Sequence, residues 1–330
     1  LMAQGAVGDA TGAVAVSASA VGSIVYRTGT ANRQRQLAWF DRAGKQIGEA
    51  FPPDSDFALN PAISPDGRQA VMSRSVGGNV DLWMQDLTRS GARTRLTTVP
   101  TPDIYAVWSP DGKRIAYSRS LPNSYFGIAT IPSTGGEPST IFDGPSQEIP
   151  VDWSRDGRHI LYRVQDVDGS IDLWALPVED TTKPFAVSDR PKANEGFGEI
   201  SPDGKWVAFE SNESGRYEVY VQAFPQSGGK TVVSTAGGRQ ARWNPSGNEL
   251  FYVAPDAKLM AVSVRARSDR QQIEADSPVA LFLTKVSGVT VGGSAIEYDV
   301  SGDGKRFLMN TLVEQPSAPI TLILNAATGR

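Results

Sequence analysis

Ser64-Pro65-Asp66-Gly67, Ser109-Pro110-Asp111-Gly112 and Ser201-Pro202-Asp203-Gly204 are one tetrapeptide written three times. Ser154-Arg155-Asp156-Gly157, Asn244-Pro245-Ser246-Gly247 and Ser301-Gly302-Asp303-Gly304 are variants of it, and Ser19-Ala20-Val21-Gly22 is a degenerate copy. From Gly22 through Gly67, Gly112, Gly157, Gly204, Gly247 and Gly304 the steps are 45, 45, 45, 47, 43 and 57 residues. Each piece of the motif has a mechanical reading. Proline sets φ at the second position of a type I turn, aspartate suits the third, and glycine takes the left-handed conformation that closes a bulged hairpin.

Strand-forming runs flank every turn. Five residues past each glycine stand Met72, Tyr117, Tyr162, Phe209, Tyr252 and Met309, each ending an apolar β-prone run. A third run follows, as in Leu37-Ala38-Trp39, Leu82-Trp83-Met84, Leu173-Trp174-Ala175 and Ile320-Thr321-Leu322. A fourth follows that, as in Arg95-Leu96-Thr97, Pro184-Phe185-Ala186-Val187, Thr231-Val232-Val233 and Ala280-Leu281-Phe282. A four-stranded antiparallel unit of ~45 residues, repeated WD40-fashion, specifies an all-β fold: a β-propeller whose blades bury both faces against their neighbours. Seven motif copies in 330 residues predict seven blades in a single domain over 1–330. Leu1-Met2-Ala3, within residues 1–15, is then expected to supply the missing outer strand of the last blade. Six blades are the alternative, with the degenerate copy as an accessory hairpin.

Composition narrows the function. Lys+Arg 32 against Asp+Glu 36 leaves a net charge of −4, no footprint for nucleic acid or an anionic membrane. With no cysteine and one histidine, thiolate chemistry and multi-histidine metal sites are excluded. The uncharged run from Ala10 to Tyr26 is too short and too weakly apolar for a membrane span, which needs ~20 residues. A start at Leu1 without a basic leader reads as a fragment or processed product. No Gly-x-Ser-x-Gly elbow is present, so a serine hydrolase is not expected. Neither an enzyme nor a cofactor is expected, and the chain is expected to be monomeric.

Several phrases carry a family likeness: Gln36-Leu37-Ala38-Trp39-Phe40-Asp41-Arg42-Ala43-Gly44-Lys45, Glu213-Ser214-Gly215-Arg216-Tyr217-Glu218-Val219-Tyr220, Ser234-Thr235-Ala236-Gly237-Gly238 and Tyr298-Asp299-Val300-Ser301. With them, nearly the whole chain resembles TolB-like propellers, and within these the C-terminal propeller that follows the kinase domain in many bacterial serine/threonine kinases. The catalytic-loop His-Arg-Asp and the Asp-Phe-Gly of a kinase are absent. The resemblance implies a sensing or docking module on the extracytoplasmic side, tethered to a kinase, with an unidentified small ligand or protein as partner. A protein-assembly scaffold of TolB type is one alternative.

Residues two before each motif are Ser17, Ala62, Val107, Asp152, Glu199, Arg242 and Asp299, and slightly upstream lie Asn60, Asp103, Tyr105, Glu148, Glu195, Arg239 and Glu297. The expected binding face is a channel mouth formed by loops leading into the innermost strands and loops joining second to third strands. Tyr105, Glu148, Asp152, Glu195, Glu199, Arg239, Arg242, Glu297 and Asp299 are its candidate residues, an acidic rim with two arginines. Such a mouth suits a cationic, sugar-like or peptide ligand, or is a solvated channel lining. Asp152 and Glu199 also raise a second alternative, a glycan or ester hydrolase working through paired carboxylates. Trp108, Trp153 and Trp243 keep the repeat phase and are expected in blade packing, whereas Tyr105, Tyr125 and Phe126 depart from it and are expected on the open face. Asp166-Val167-Asp168-Gly169-Ser170 is expected to be a hairpin turn, His159 a structural residue, and Val286 to Gly293 a flap or long connection.

Overall fold

In the computed structural model the repeated tetrapeptide is held by its own side chains. Ser109 Oγ donates to Asp111 at 2.6 Å and accepts the Arg114 backbone N–H at 2.9 Å, while Asp111 accepts the Lys113 N–H at 3.0 Å. The same three bonds recur around Ser64, Ser154 and Ser201. The closing glycine is left-handed in all six clear copies, with φ between 67° at Gly304 and 76° at Gly157, which a Cβ would strain. Each turn thus joins an inner strand to the next strand outward.

The structure describes residues 16–18, 24–27, 34–54, 58–89, 93–122, 124–225, 228–267, 272–286, 295–313 and 320–323. The chain divides into two compact units, Arg35–Thr311 and the pair of segments Leu1–Gln34 and Leu312–Arg330. Among the described residues, the larger unit holds six four-stranded antiparallel blades. Blade 1 runs Ala58–Ile63, Gln69–Val76, Asn79–Asp86, Arg93–Arg95; blade 2 runs Asp103–Trp108, Arg114–Leu121, Ser124–Pro132, Ser139–Phe142. Blade 3 runs Gln147–Trp153, His159–Gln165, Ile171–Pro177, Phe185–Ser188; blade 4 runs Glu195–Ile200, Trp206–Ser211, Glu218–Ala223, Thr231–Val232. Blade 5 runs Arg239–Trp243, Glu249–Val253, Lys258–Ala266, Val279–Leu283, and an added strand, Ile273–Ala275, pairs with the far end of its third. Blade 6 takes its inner pair, Tyr298–Val300 and Arg306–Leu312, from late in the chain and its outer pair, Arg35–Asp41 and Gln46–Asp54, from early in it. The inner strands touch in order, and that of blade 6 touches that of blade 1, so the ring is closed.

Six blades, the alternative with the degenerate copy apart from the ring, are what the described residues show, and a seventh is not among them. Val16–Ala18 and Ile24–Arg27, around the degenerate motif, pair with each other and with Ile320–Ile323 as a three-stranded sheet in the smaller unit. Ile320-Thr321-Leu322 is therefore not the third strand of the last blade; Arg35–Asp41 is. Leu1-Met2-Ala3, expected from sequence to close the last blade, lies outside the described residues, and the six described blades lie between Arg35 and Leu312. No helix among the described residues is long and apolar enough to cross a membrane.

Packing follows from strand period. In Gln69–Val76, Ala70 and Met72 join Leu37, Phe51 and Leu308 of blade 6, whereas Val71 joins Trp108, Ile115 and Tyr117 of blade 2. Alternate side chains point to opposite faces of a strand, so each blade feeds two seams, and the six apolar clusters occupy the six seams of the ring. Buried polar contacts pin the closing blade. Arg35 Nη1 donates to Glu297 at 2.8 Å, with both side chains under a tenth exposed, and ties the early strands to the late ones. Arg42 makes a two-point pair with Glu249 of blade 5, at 2.7 and 2.9 Å. Asp54 receives Arg74 and Arg93 of blade 1 at 2.6 and 2.8 Å.

Removing one partner of a buried ion pair leaves a buried charge, whereas an apolar replacement of both is close to neutral. Arg35→Met is expected to lose about 3–5 kcal/mol of stability in urea unfolding, and Arg35→Met/Glu297→Met to recover more than half of that loss. A double variant no more stable than the single one would mean that the pair does not act as a unit.

Candidate ligand site in the axial channel

Six inner strands run in the same direction along the axis, so position along a strand becomes depth in the channel. At the end carrying the repeated turns they enclose a cavity of about 470 Å³. Asp152, Glu199, Arg242 and Asp299, all two residues before a turn, line it together, with Asn60 and Tyr105 deeper and Trp108, Trp153 and Trp243 in its walls. The turns themselves form the rim, through Pro65, Pro110, Arg155, Pro245 and Gly302.

The carboxylates are built into the ring. Asp152 Oδ2 accepts the Ile200 N–H of the next blade at 2.7 Å, Glu199 Oε2 accepts the Trp243 N–H at 2.7 Å, and Asp299 Oδ2 accepts the Ile63 N–H at 2.7 Å. Each acid spans one seam to the same backbone position of its neighbour. Where the ring position is apolar, as at Ala62, the seam is crossed in reverse: the Trp108 indole donates to the Ala62 carbonyl at 2.9 Å. Trp243 adds the same bond to the Glu199 carbonyl at 3.1 Å. These tryptophans pack in seams, as their repeat phase predicts, and border the cavity as well. Arg242 is nine-tenths buried, donates to the Ala241 carbonyl at 3.3 Å and stands 3.9 Å from Asp299. Burial raises the pKa of Asp152 and Glu199; Arg242 opposes the rise in both, and Asp152 adds to it in Glu199.

The inner strands carry a second regularity. In blades 1 to 5 the pairing of inner and second strands shifts register midway, a β-bulge. At equivalent bulge positions Asn60, Tyr105 and Gln240 are left-handed, with φ of 55°, 58° and 57°. Local bonds hold this strain: Asn60 exchanges two hydrogen bonds with Ile296, Tyr105 N–H reaches Ser73, and the Gln240 carbonyl accepts the Tyr298 hydroxyl. Tyr105 packs on Phe197 with Arg163 over both rings, so it belongs to the channel floor rather than to an open face. Phe126 is half-buried; the side chain of Tyr125 and residues 287–293 of the expected flap lie outside the described residues, while Val286 is buried.

Four candidates stand apart from the cavity. Glu148 and Glu195 lie at the other end of their strands and are fully buried, Glu297 is paired with Arg35, and Arg239 is paired with Glu210 at 2.7 Å. The sequence reading placed them on one mouth with Asp152 and Glu199. A strand rises ~3.3 Å per residue, so Glu148 and Glu195, four residues before Asp152 and Glu199, lie ~13 Å from them along the axis, while Arg239 and Glu297 precede Arg242 and Asp299 by three and two residues, and the mouth is ringed by the motif turns instead of the expected loops. His159 sits edge-on to Phe185 and Phe224, and Asp166 to Ser170 form a hairpin turn.

No protein-family model matches the chain, and no curated protein is similar to it in sequence. Solved structures are similar in shape. A structure from Agrobacterium tumefaciens named as TolB matches with a TM-score of 0.65 at 19% identity, over 86% of this chain and 99% of that one. The architecture is that of a β-propeller, which that structure shares. TolB from Acinetobacter baumannii matches at 0.54 and 14% identity, over 89% of this chain and 66% of that one. A chain of a nidogen–laminin complex matches at 0.53 and 9% identity, over 74% of this chain and 93% of that one. At these identities the likeness is one of fold.

The buried acids give this propeller a pH signature. Burial pushes Glu148 and Glu195 up to about 7 and Asp103 up to about 6, with Asp143, Asp172 and Asp81 adding to the rise. A folded-state pKa above the unfolded value means that the native protein binds the extra proton, so stability falls as pH rises from about 4 to 7. The turn aspartates act oppositely: hydrogen bonds from Ser64 and Ser109 lower Asp66 and Asp111, and stability is lost when acid protonates them. The melting temperature is expected to peak near pH 4 and to drop by several degrees toward pH 8. Glu148→Gln/Glu195→Gln should flatten that drop in a calorimetric pH series; an unchanged slope would place the titration elsewhere.

Proposed function

We propose that this propeller is a binding module whose partner engages the axial cavity at the turn-ringed end. One observation carries the reading: the cavity acids spend an oxygen each on the backbone of the neighbouring blade, so they are fixed as lining. Pre-organised lining of this kind suits recognition, because little is lost in ordering it when a partner arrives. The TolB-like neighbours favour a protein partner and a periplasmic setting, and the kinase-linked sensing role draws its support from the sequence resemblance alone.

Val107→Trp fills the cavity from an apolar lining position and tests this reading. A panel of peptides, sugars and cell-wall fragments is screened by thermal shift, and a native envelope extract is passed over immobilised chain. Saturable stabilisation by a panel member is expected in the parent, ~2.7 kcal/mol at a hundred times Kd, or else retention of one stoichiometric protein. Either should be lost in Val107→Trp; binding that survives the substitution would move the contact off the axis.

A hydrolase is the second reading, because Asp152 and Glu199 share the cavity and both are held toward the protonated form. It requires turnover of a glycoside or ester that Asp152→Asn/Glu199→Gln abolishes.

A further inference from the structure

The rim of the cavity has one member unlike the rest. The second residue of the turn borders the cavity in five blades, and it is Pro65, Pro110, Pro245 or Gly302 except in blade 3, where it is Arg155. The Arg155 side chain leaves the turn of blade 3 and its Nη1 donates to the Pro245 carbonyl in the turn of blade 5, at 3.4 Å. It therefore passes over the mouth on the side of blade 4, held by one long hydrogen bond.

Beneath it three acids, Asp152, Glu199 and Asp299, share one cation, Arg242. Asp152 and Glu199 each commit one oxygen to the neighbouring blade; the Asp152 carboxylate also takes the Trp153 backbone N–H, and Glu199 Oε1 accepts no hydrogen bond among the described residues. Both line the cavity. Arg242, the resident cation, is 3.9 Å from Asp299, and neither Asp152 nor Glu199 has an ion-pair partner within 4.0 Å among the described residues. A buried carboxylate is stabilised by an opposite charge or a donor brought to its free oxygen. Trp153, Trp243, Val107 and Ile63 supply apolar wall beside these oxygens. Indole faces and an acidic end are complementary to a cation on a hydrocarbon stem.

We propose that the cavity takes a ligand bearing one ammonium or guanidinium group on an apolar stem, and that Arg155 covers the mouth until that cation enters. The proposal rests on the cavity-binding reading above and deepens it. The ligand cation sits between the second oxygens of Asp152 and Glu199, and its stem lies along the tryptophan wall. Arg155, which also bears on Asp152 electrostatically, swings clear. An anion would meet three acids, whereas an entering cation favours the ionised form of the two that burial otherwise holds toward the protonated one.

The probe is n-butylguanidinium, titrated calorimetrically into the chain beside pentanamide and pentanoate, its neutral and anionic counterparts in length. Butylguanidinium is expected to bind and the other two not to bind at the same concentration. Asp152→Asn/Glu199→Gln should weaken binding at least tenfold without lowering the melting temperature, since both amides still offer an oxygen to Ile200 and Trp243. Arg155→Pro restores the residue that four other turns carry and should strengthen binding several-fold. Equal binding by the neutralised variant, or no gain with Arg155→Pro, overturns the proposal. Binding of pentanamide or pentanoate instead, abolished by Val107→Trp, overturns the choice of a cation and leaves the cavity reading standing. Silence from all three probes overturns the cation proposal alone, because the cavity reading is judged separately by whether Val107→Trp loses its partner.

Discussion

Each blade of this protein is apolar on both faces, and everything else follows from the need to cover them. A four-stranded sheet with Val71 on one side and Ala70 and Met72 on the other cannot be left with a wet face. A row of such sheets would end in two exposed faces, and only closure removes both. The twist between sheets then makes the seams wedge-shaped, and the six apolar clusters fill them. The closing blade must be as well fastened as any other, which is where the least exposed ion pair, Arg35 with Glu297, is found.

Local chemistry was legible in the sequence, and long-range pairing was not. The Ser-Pro-Asp-Gly turns, the strands after them and the outer strands at Arg93–Arg95, Phe185–Ser188, Thr231–Val232 and Val279–Leu283 fall where spacing put them. Those features depend on residues within a few positions of one another. Ile24-Val25-Tyr26 and Ile320-Thr321-Leu322 read like blade strands because β-pattern reports a half-buried pleat and not its partner. They pair with each other, outside the propeller. The candidate site was half legible for a similar reason. Two residues before a turn, Asp152, Glu199, Arg242 and Asp299 share one depth; Glu148 and Glu195, four residues earlier, belong to another level. Repeat phase fixes depth, and counting it strand by strand would have separated the two. Arg155 escaped notice because it was read as a defect in the motif, although a defect on a rim of prolines is a difference in chemistry.

The ring of acids shows how scaffold and site can be the same atoms. A carboxylate has two oxygens; one used across a seam fixes the other's direction. Asp152 and Glu199 thereby point a second oxygen without needing further support. Their geometry is as stiff as the blades they join, and any ligand that meets them senses the spacing of blades 3, 4 and 5 at once.

Closure by strands from both parts of the propeller also sets a timetable. Arg35 and Glu297 are separated by 262 residues, and the hairpin of Arg35–Asp41 and Gln46–Asp54 leaves the ribosome long before the strands it pairs with. At roughly 5–20 residues per second, it waits about 13–50 s with an open edge, beside blades that can already form in pairs. The propeller is thus the last thing to exist although its parts are made in order, and the nascent chain is most exposed to mispairing at the edge it needs for completion.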